Sequence, residues 1–184
     1  WAGGFLFNPK AKAALDRFYQ REDTLSLGIC NGCQLMMELN LINPEHEKRG
    51  YMRHNNSHKF ESSFVGVNIP ENNSVLFGSL SNSRLGVWVA HGEGKFDLPY
   101  AAEQYNIVAR YSYDGYPANP NGSSYGVAAL ASANGRHVAM MPHPERAIFP
   151  WQCANYPQNH IADDVTPWIE IFRNAYNWVA EKTK

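Results

Sequence analysis

The stretch SLGICNGCQLMMELN, residues 26–40, sets a short apolar run directly against a Cys-Asn-Gly-Cys turn and a helix-like pattern. Apolar residues alternate with small ones as far as Ile29, which predicts a buried strand that ends at Cys30. The helix-forming residues after Gly32 carry an apolar face until an Asn-Pro pair stops them. The sequence therefore predicts a strand, a sharp turn and a helix over residues 25–42.

Composition predicts one soluble domain. The 184 residues include 44% hydrophobic side chains, enough for one packed core and too few to indicate two. A formal net charge of −1 gives no reason to expect nucleic acid or an anionic membrane as a partner. No signal peptide is visible, and no apolar run approaches the roughly 20 residues that span a bilayer. The three cysteines are few for a disulfide framework, which favours a cytoplasmic location.

The rest of the chain alternates in a way that predicts a sheet flanked by helices. Asn-Pro predicts a helix over residues 9–21, and Thr-Pro at residue 166 predicts a last helix. Residues 43–60 and 116–124 are predicted to be loops, the second an irregular surface loop. The predicted strands are SSFVGVNI, SVLFGSL, LGVWVAHGEG, NIVARYSY, SYGVAALAS and HVAMMPHPE. This order predicts an α/β fold whose chemistry gathers at the carboxyl ends of its strands.

Two kinds of site other than a catalytic one fit the two thiols of the turn. Cys30 and Cys33 could bind zinc together with His54 and His58, but a strand in a domain with ample core of its own does not need a structural metal. A dithiol redox pair would suit a helix N-terminus, but the chain lacks the order of elements typical of thioredoxin-like proteins. We therefore predict no metal site.

The third interpretation is a catalytic nucleophile. A strand that breaks into a helix over one strained residue lifts that side chain out of the sheet, beside the positive end of the helix. Gly28 and Gly32 fit such an elbow, because close approach of the backbone leaves no room for a β-carbon. Cys30 at the apex would be acidified by the helix end, and the backbone N–H of Asn31 would be placed to stabilise an oxyanion.

A base for this thiol lies in MMPHPER, residues 140–146. Pro144 biases His143 towards an extended conformation, which would place the side chains of His143 and Glu145 on the same side of the chain. The carboxylate would then hold the imidazole in one tautomer while the other ring nitrogen faces the thiol. A lone histidine at a strand end is more often structural, but its combination with a cysteine elbow favours the catalytic interpretation.

These motifs resemble those of the class I, triad-type glutamine amidotransferases. GICNGCQ at 28–34 resembles the family's elbow, and HPE at 143–145 resembles its His-x-Glu pair. HGEG at 91–94, YPANPNGS at 116–123 and PWIEIFRNA at 167–175 are similar to the branch of the family that serves purine biosynthesis. The resemblance covers nearly the whole chain. It implies a flavodoxin-like open sheet with flanking helices and the hydrolysis of glutamine to glutamate and ammonia through a Cys thioester.

The resemblance also implies roles for particular residues. Cys30 would be the nucleophile, His143 the general acid and base, and Glu145 the residue that orients the histidine. An additional His54 displaces Arg53 from the family pattern in one loop. The residues that match the family's substrate-side positions for glutamine are Gln34, Asn55, Ser57, Phe60, His91 and Glu93.

Further parts are implied outside this chain. In the family, ammonia passes to a synthetase domain, which uses ATP and magnesium to convert formylglycinamide ribonucleotide to its amidine, and we expect no cofactor in the present segment. The chain lacks an initiator Met, and PWIEIFRNA resembles the large single-chain form of the family, so we expect residues 1–184 to be the glutaminase domain at the carboxyl end of a longer polypeptide. The first strands and the loop that supplies the second oxyanion N–H are then expected upstream.

Two other functions are compatible with the sequence. A different Cys-His-Glu enzyme on the same scaffold, such as a peptidase-like or deglycase-like relative, would use the same three side chains on another substrate. A non-catalytic interaction module that holds zinc would need the two thiols and no triad. A glutaminase assay of the complete protein tests the first alternative, and metal analysis of the purified protein tests the second.

Overall fold

The computed structural model describes residues 1–182. The α-helices are α1 (Ala2–Leu6), α2 (Pro9–Gln20), α3 (Asn31–Glu38) and α4 (Ile169–Lys182). The strands are β1 (Ser26–Ile29), β2 (Tyr51–Arg53), β3 (Glu61–Ile69), β4 (Ser83–His91), β5 (Lys95–Asp97), β6 (Asn106–Tyr111), β7 (Val127–Ala131) and β8 (His137–Met140). Short 3₁₀ turns connect several of them.

The main sheet is mixed, and its strands lie in the order β1-β8-β7-β6-β3-β4. β1 pairs in parallel with β8, whereas the other neighbours described in this sheet pair antiparallel. The predicted α/β sheet with flanking helices is thus confirmed, with parallel pairing confined, within residues 1–182, to the two strands that precede the predicted catalytic residues. Because β1 and β8 are parallel neighbours, their carboxyl ends lie side by side.

The start of α2 agrees with the sequence prediction, whereas α3 begins at Asn31, before the predicted start after Gly32. α2 begins at Pro9, and the side chain of Asn8 accepts hydrogen bonds from the N–H groups of Lys10 and Ala11. α3 ends at Glu38, several residues earlier than predicted. Asn40 ends it by taking a left-handed conformation (φ 52°), which an apolar pattern does not reveal.

Two predictions about local structure were wrong. SVLFGSL is not a strand, because the hydroxyl of Ser74 caps the next turn and residues Gly78–Leu80 form a 3₁₀ helix. Its apolar side chains are buried all the same, and burial alone does not distinguish a strand from a turn. The predicted loop 43–60 contains the short strand β2, which pairs with β5. Both strands are only three residues long.

The core lies on both faces of the main sheet. β7 and β8 are buried at every position, as expected for central strands covered on two sides. On one face α3 packs through Cys33, Met36 and Met37. Trp168 and α4 contribute to the apolar cluster on the other face. None of the described helices is both long and apolar enough to cross a membrane.

Candidate active site

Cys30 occupies a strained turn between β1 and α3. Its backbone has φ 52° and ψ −104°, a conformation that costs a residue other than glycine about 1–3 kcal/mol. Hydrogen bonds hold the turn on both sides: the N–H of Cys30 donates to the carbonyl of Met140 (2.9 Å), and its carbonyl accepts from the N–H of Gln34 (3.0 Å). The structure therefore contains the elbow that the sequence predicts.

The two glycines of the elbow differ in what they permit. A β-carbon on Gly28 would lie 2.3 Å from the sulfur of Met36 and 2.7 Å from the carbonyl oxygen of Gly32, so α3 can approach β1 only because residue 28 has no side chain. A β-carbon on Gly32 would meet no described atom within 4 Å outside its own helix backbone. The prediction that Gly32 is also required for close approach was therefore wrong.

The three thiols lie in different surroundings. Cys33 is completely buried in the apolar cluster under α3, and burial raises the pKa of its thiol well above the ordinary value. Cys30 is half-buried, and its sulfur lies 3.8 Å from the carbonyl oxygen of Ala90 on β4. Cys153 is half-buried in a turn elsewhere. Within residues 1–182, no group of three or more His, Cys, Asp or Glu side chains is arranged to hold a metal ion.

His143 and Glu145 contact each other directly. Nδ1 of His143 lies 2.6 Å from Oε1 of Glu145. Because an ionised carboxylate only accepts, Nδ1 carries the hydrogen. His143 itself forms an antiparallel bridge with Trp88, but the chain does not continue extended to Glu145: Pro144–Arg146 form a 3₁₀ turn, and this turn brings the carboxylate back to the ring. The predicted pairing of the two side chains is present, but by a different backbone route.

The protonation of His143 depends on its two neighbours. The thiol of Cys30, followed by the hydrogen bond to Glu145, raises the pKa of His143 to about 9 against the opposing effect of burial. Nε2 of the ring is buried and makes no hydrogen bond of ordinary geometry to the described residues. Burial tends to raise the pKa of Glu145, but the hydrogen bond to His143 and the nearby positive charges outweigh it, so that this pKa is lowered.

Asn55 fixes the tautomer of His91. The amide N–H groups of Asn55 donate to the carbonyl oxygens of Lys59 (3.0 Å) and His91 (2.7 Å), and its oxygen accepts from the N–H of Gly94 (3.0 Å). With the amide oriented by three backbone groups, its oxygen also faces Nδ1 of His91 at 3.2 Å, so this nitrogen must carry the hydrogen. Burial, aided by neighbouring His143, lowers the pKa of His91 to about 4. The ring is therefore neutral, with Nε2 unprotonated.

The turn that follows β4 is clasped from two directions. Besides the bond from Gly94 to Asn55, the carbonyl of Gly94 accepts from the amide of Asn121 (2.7 Å). A β-carbon on Gly94 would lie 2.4 Å from the ring of His91, so glycine is needed there. Asn121 is completely buried, and Asn119 and Ser123 are nearly so. The prediction of a surface loop over 116–124 was therefore wrong for its second half, which packs against the HGEG turn.

Gln34 and Glu93 border a cavity of about 350 Å³ at the start of α3. The side-chain amide of Gln34 donates to the carbonyl of Glu93 (2.9 Å), which ties α3 to the turn after β4. The carboxylate of Glu93 is exposed, and Oε1 lies 3.6 Å from Nδ1 of His54. Asn31, the first residue of α3, also lines the cavity, and its N–H has no partner within the helix because it precedes the first helical hydrogen bond.

The remaining predicted substrate-side residues lie in the loop before β3. Phe60 is 69% exposed, and the hydroxyl of Ser57 accepts a hydrogen bond from the N–H of Lys59 (3.3 Å). Every polar atom of the Asn55 side chain has a partner in the protein, an arrangement expected of a residue that shapes a site and not of one that contacts a substrate. A larger cavity, of about 680 Å³, lies beneath residues 153–168 and contains none of the predicted site residues.

Three site neighbours were missed from the sequence. Trp88 forms an antiparallel bridge with His143, and the carbonyl of Ala90 faces Cys30. Both act through the backbone, which leaves no signal in residue type. Asn121 was within a stretch recognised by resemblance, and its position between Pro and Gly suggested only a turn.

Known proteins resemble this chain over its whole length. A family model described as a CobB/CobQ-like glutamine amidotransferase domain matches residues 1–179. Phosphoribosylformylglycinamidine synthase of Drosophila melanogaster is 37% identical over 100% of this chain and 15% of its own length. The human protein of the same name is 39% identical over 98% of this chain and 16% of its own length. Thus the chain spans about 15% of the length of these relatives.

A solved structure gives the same result for the fold. PurLQS from Thermotoga maritima superposes with a TM-score of 0.64 at 26% identity, covering 95% of this chain and 68% of that chain. The class I amidotransferase fold expected from the sequence is confirmed by this similarity together with the family match. The elbow at Cys30 and the His-Glu pair lie within the matched residues. This chain belongs to the CobB/CobQ-like glutamine amidotransferase family.

Proposed function

We propose that the chain is the glutamine-hydrolysing domain of a phosphoribosylformylglycinamidine synthase, with Cys30, His143 and Glu145 as its catalytic residues. The observation that carries this proposal is that a strained cysteine and a carboxylate-bound histidine lie against the same strand, Cys30 at Ala90 and His143 at Trp88. The names of the relatives support the choice of enzyme. A triad of this kind performs acyl transfer at a carboxamide or ester.

The proposed reaction begins when the sulfur of Cys30 attacks the side-chain carboxamide carbon of glutamine. The tetrahedral oxyanion accepts a hydrogen bond from the N–H of Asn31 at the start of α3. His143, held as an imidazolium at neutral pH, transfers its proton to the departing nitrogen, so that ammonia leaves and a thioester forms. The neutral ring then takes a proton from water, which attacks the thioester, releases glutamate and regenerates the thiolate and imidazolium.

Substrate recognition is assigned to the cavity at the start of α3. Gln34 and Glu93 border it and are joined to each other, so they are positioned to receive the polar end of glutamine. His91 and Asn55 hold the turn that carries Glu93, and we propose that Asn55 positions this turn without contacting glutamine. Direct roles for Ser57 and Phe60 stay predictions from the resemblance.

The longer polypeptide would supply the other half of the reaction. Because the relatives are several times longer than this chain, we propose that ammonia passes to a synthetase portion of the same polypeptide, where ATP and magnesium serve the formation of the formylglycinamidine product. The proposed site of action is the cytoplasm. Neither nucleic acid nor a membrane has a part in this scheme.

The test is glutamate release from glutamine by the complete enzyme, compared with its Cys30→Ala variant. We expect the wild type to release glutamate and the variant to lose essentially all of this activity, since the thioester cannot form. Cleavage of a peptide or removal of an adduct from glycated protein without glutamate release would favour the other triad enzymes. Stoichiometric zinc in the purified protein, together with no hydrolysis, would favour the interaction module.

A further inference from the structure

Phe149 and Trp151 form an exposed aromatic pair. Their ring centroids are 5.8 Å apart and their planes differ by 6°, so the rings are stacked. Trp151 is nevertheless 79% exposed and Phe149 40% exposed. We call residues 149–151 the aromatic surface. A stacked pair of large apolar rings open to solvent is typical of a contact site, because proteins seldom leave such side chains uncovered together.

The turn that carries the aromatic surface and the catalytic histidine are both hydrogen-bonded to β4, at Trp88. The indole N–H of Trp88 donates to the carbonyl of Gln152 (2.7 Å), and the side-chain oxygen of Gln152 accepts from the N–H of Phe149 (3.0 Å). The carbonyl of Trp88 accepts from the N–H of His143 (2.7 Å). One residue of β4 therefore anchors both the aromatic surface and the histidine, which places this surface at the catalytic end of the sheet.

We propose that the aromatic surface docks into an apolar pocket on the synthetase portion of the same polypeptide and thereby closes the glutaminase site against it. This inference rests on the proposed function. The occupant follows from two observations: most of the relatives' length lies outside the segment that matches this chain, and the turn that carries the surface is bound to Trp88, whose carbonyl also binds the histidine that would release ammonia. Ammonia released into water becomes ammonium and is diluted, so the two active sites need a sealed contact at this end.

The two stacked aromatic rings are well suited to bind in a pocket of a partner surface. Tryptophan is among the residues that contribute most to binding when a pocket covers them. The two rings are already stacked, and the turn beneath them is hydrogen-bonded, so docking would immobilise few additional rotamers. Docking would also explain why a side chain as large as that of Trp151 is left exposed to solvent in this domain.

The functional test uses the complete enzyme carrying Trp151→Ala. We expect glutamate release and ammonium-dependent amidine synthesis to stay within about twofold of the wild type, while amidine formed per glutamate released falls about fivefold or more. Trp151→Phe, which keeps an aromatic ring, should restore most of the coupling. Tyr176→Ala, at a residue of α4 that is 75% exposed, is the matched control and should leave coupling unchanged.

Several results would overturn the inference. An unchanged coupling ratio in Trp151→Ala, an equal fall in Tyr176→Ala, or a parallel loss of glutamate release would each do so. A second measurement does not depend on activity: hydroxyl-radical footprinting of the complete enzyme should find Trp151 protected, whereas oxidation at the rate of a freely exposed tryptophan would contradict docking. If the wild type releases no glutamate, the proposed function fails, and the footprint still decides whether the surface is covered.

Discussion

Trp88 and His143 are joined by a single antiparallel bridge, in which the N–H of His143 donates to the carbonyl of Trp88 at 2.7 Å. Their strands are far apart in the sheet order, because β8 lies next to one edge and β4 is the other edge. Likewise the sulfur of Cys30, which follows β1, lies 3.8 Å from the carbonyl oxygen of Ala90 on β4. In a flat sheet, five strand spacings would separate β1 from β4 by about 24 Å. The sheet therefore curls so that both edges meet at the candidate site.

Curling brings together three segments that follow different strands: Cys30 after β1, His143 after β8, and the HGEG turn after β4. The curl is explained by the twist of the strands and by the register irregularities between β6 and β7, which bend the sheet locally. The consequence is that β4, although antiparallel and distant in the sheet order, supplies the backbone against which both Cys30 and His143 rest.

Glu145→Gln should separate two effects of Glu145 on His143: its contact with the ring and its negative charge. The amide can still contact Nδ1, but it removes the negative charge that helps to raise the pKa of His143. We expect the pKa of His143 to fall and kcat for glutamate release to drop by about 10²-fold or more, with a smaller change in KM. The pH profile of kcat and the NMR titration of the His143 ring provide the measurements. A wild-type profile and rate would show that Glu145 has no such role.

The elbow offers a matched pair of glycine substitutions. Gly28→Ala should lower the free energy of unfolding by about 1–3 kcal/mol, because its β-carbon would overlap the Met36 sulfur and the backbone of Gly32. Gly32→Ala should be neutral or stabilising by up to about 1 kcal/mol, since it lies within α3 with open space around its β-carbon. Urea titration of both variants measures the difference. Equal effects at the two positions would contradict the packing described here.

Alanine substitutions at the neighbouring residues Asn55 and Asn56 should affect stability and glutamine binding to different extents. Asn55→Ala removes the side chain that binds three backbone groups and Nδ1 of His91, most of them buried, so we expect a loss of roughly 2–4 kcal/mol in the free energy of unfolding and a raised KM for glutamine. Asn56→Ala removes an exposed contact to Lys95 and should cost less than about 1 kcal/mol. Thermal unfolding and steady-state kinetics report both quantities. A stable Asn55→Ala protein with unchanged KM would refute the positioning role.

Because the pKa of the buried His137 is lowered, we expect the folded protein to lose stability at acid pH. Nδ1 of His137 lies 3.0 Å from the hydroxyl of Ser26, the ring is buried, and burial, with a smaller contribution from Arg136, lowers its pKa to about 4. The unfolded chain binds this proton near pH 6.5 and the folded chain only near pH 4, so stability falls as the pH drops through this window, by up to about 3 kcal/mol.

The measurement is the free energy of unfolding between pH 7 and pH 4 for the wild type and His137→Asn. The variant should show the shallower decline, because it has lost one group that only the unfolded state protonates. His91, whose pKa is also lowered to about 4, adds to the same acid limb in both proteins. Identical slopes for the two proteins would show that His137 does not contribute.

The sequence allowed the local elements of the site to be predicted because they depend on short-range chemistry. The strand before Cys30, the helix after it and the His143–Glu145 pair each follow from neighbouring residue types. What could not be predicted is the set of backbone contacts between distant strands. Ala90 and Trp88 take part through their carbonyl oxygens, which every residue has.

The errors have the same origin. SVLFGSL has the apolar content of a strand, yet the hydroxyl of Ser74 and tertiary burial give it a turn. The polar residues Asn119, Asn121 and Ser123 suggested a surface loop, but their amides and hydroxyl bind buried backbone groups of the HGEG turn, of Phe96 on β5 and of one another. Hydrogen-bonding partners far along the chain decided both cases, and such partners are not visible in a local pattern.

Covalent capture by a glutamine-mimicking electrophile, read out by peptide mass spectrometry on the complete enzyme, tests the central claim most directly. We predict one label per chain within this domain, on Cys30, with labelling prevented by excess glutamine and lost in Cys30→Ala. The buried Cys33 and the half-buried Cys153 should stay unmodified. Labelling of either of these thiols with Cys30 untouched would contradict the assignment of the nucleophile and, with it, the mechanism built on His143 and Glu145.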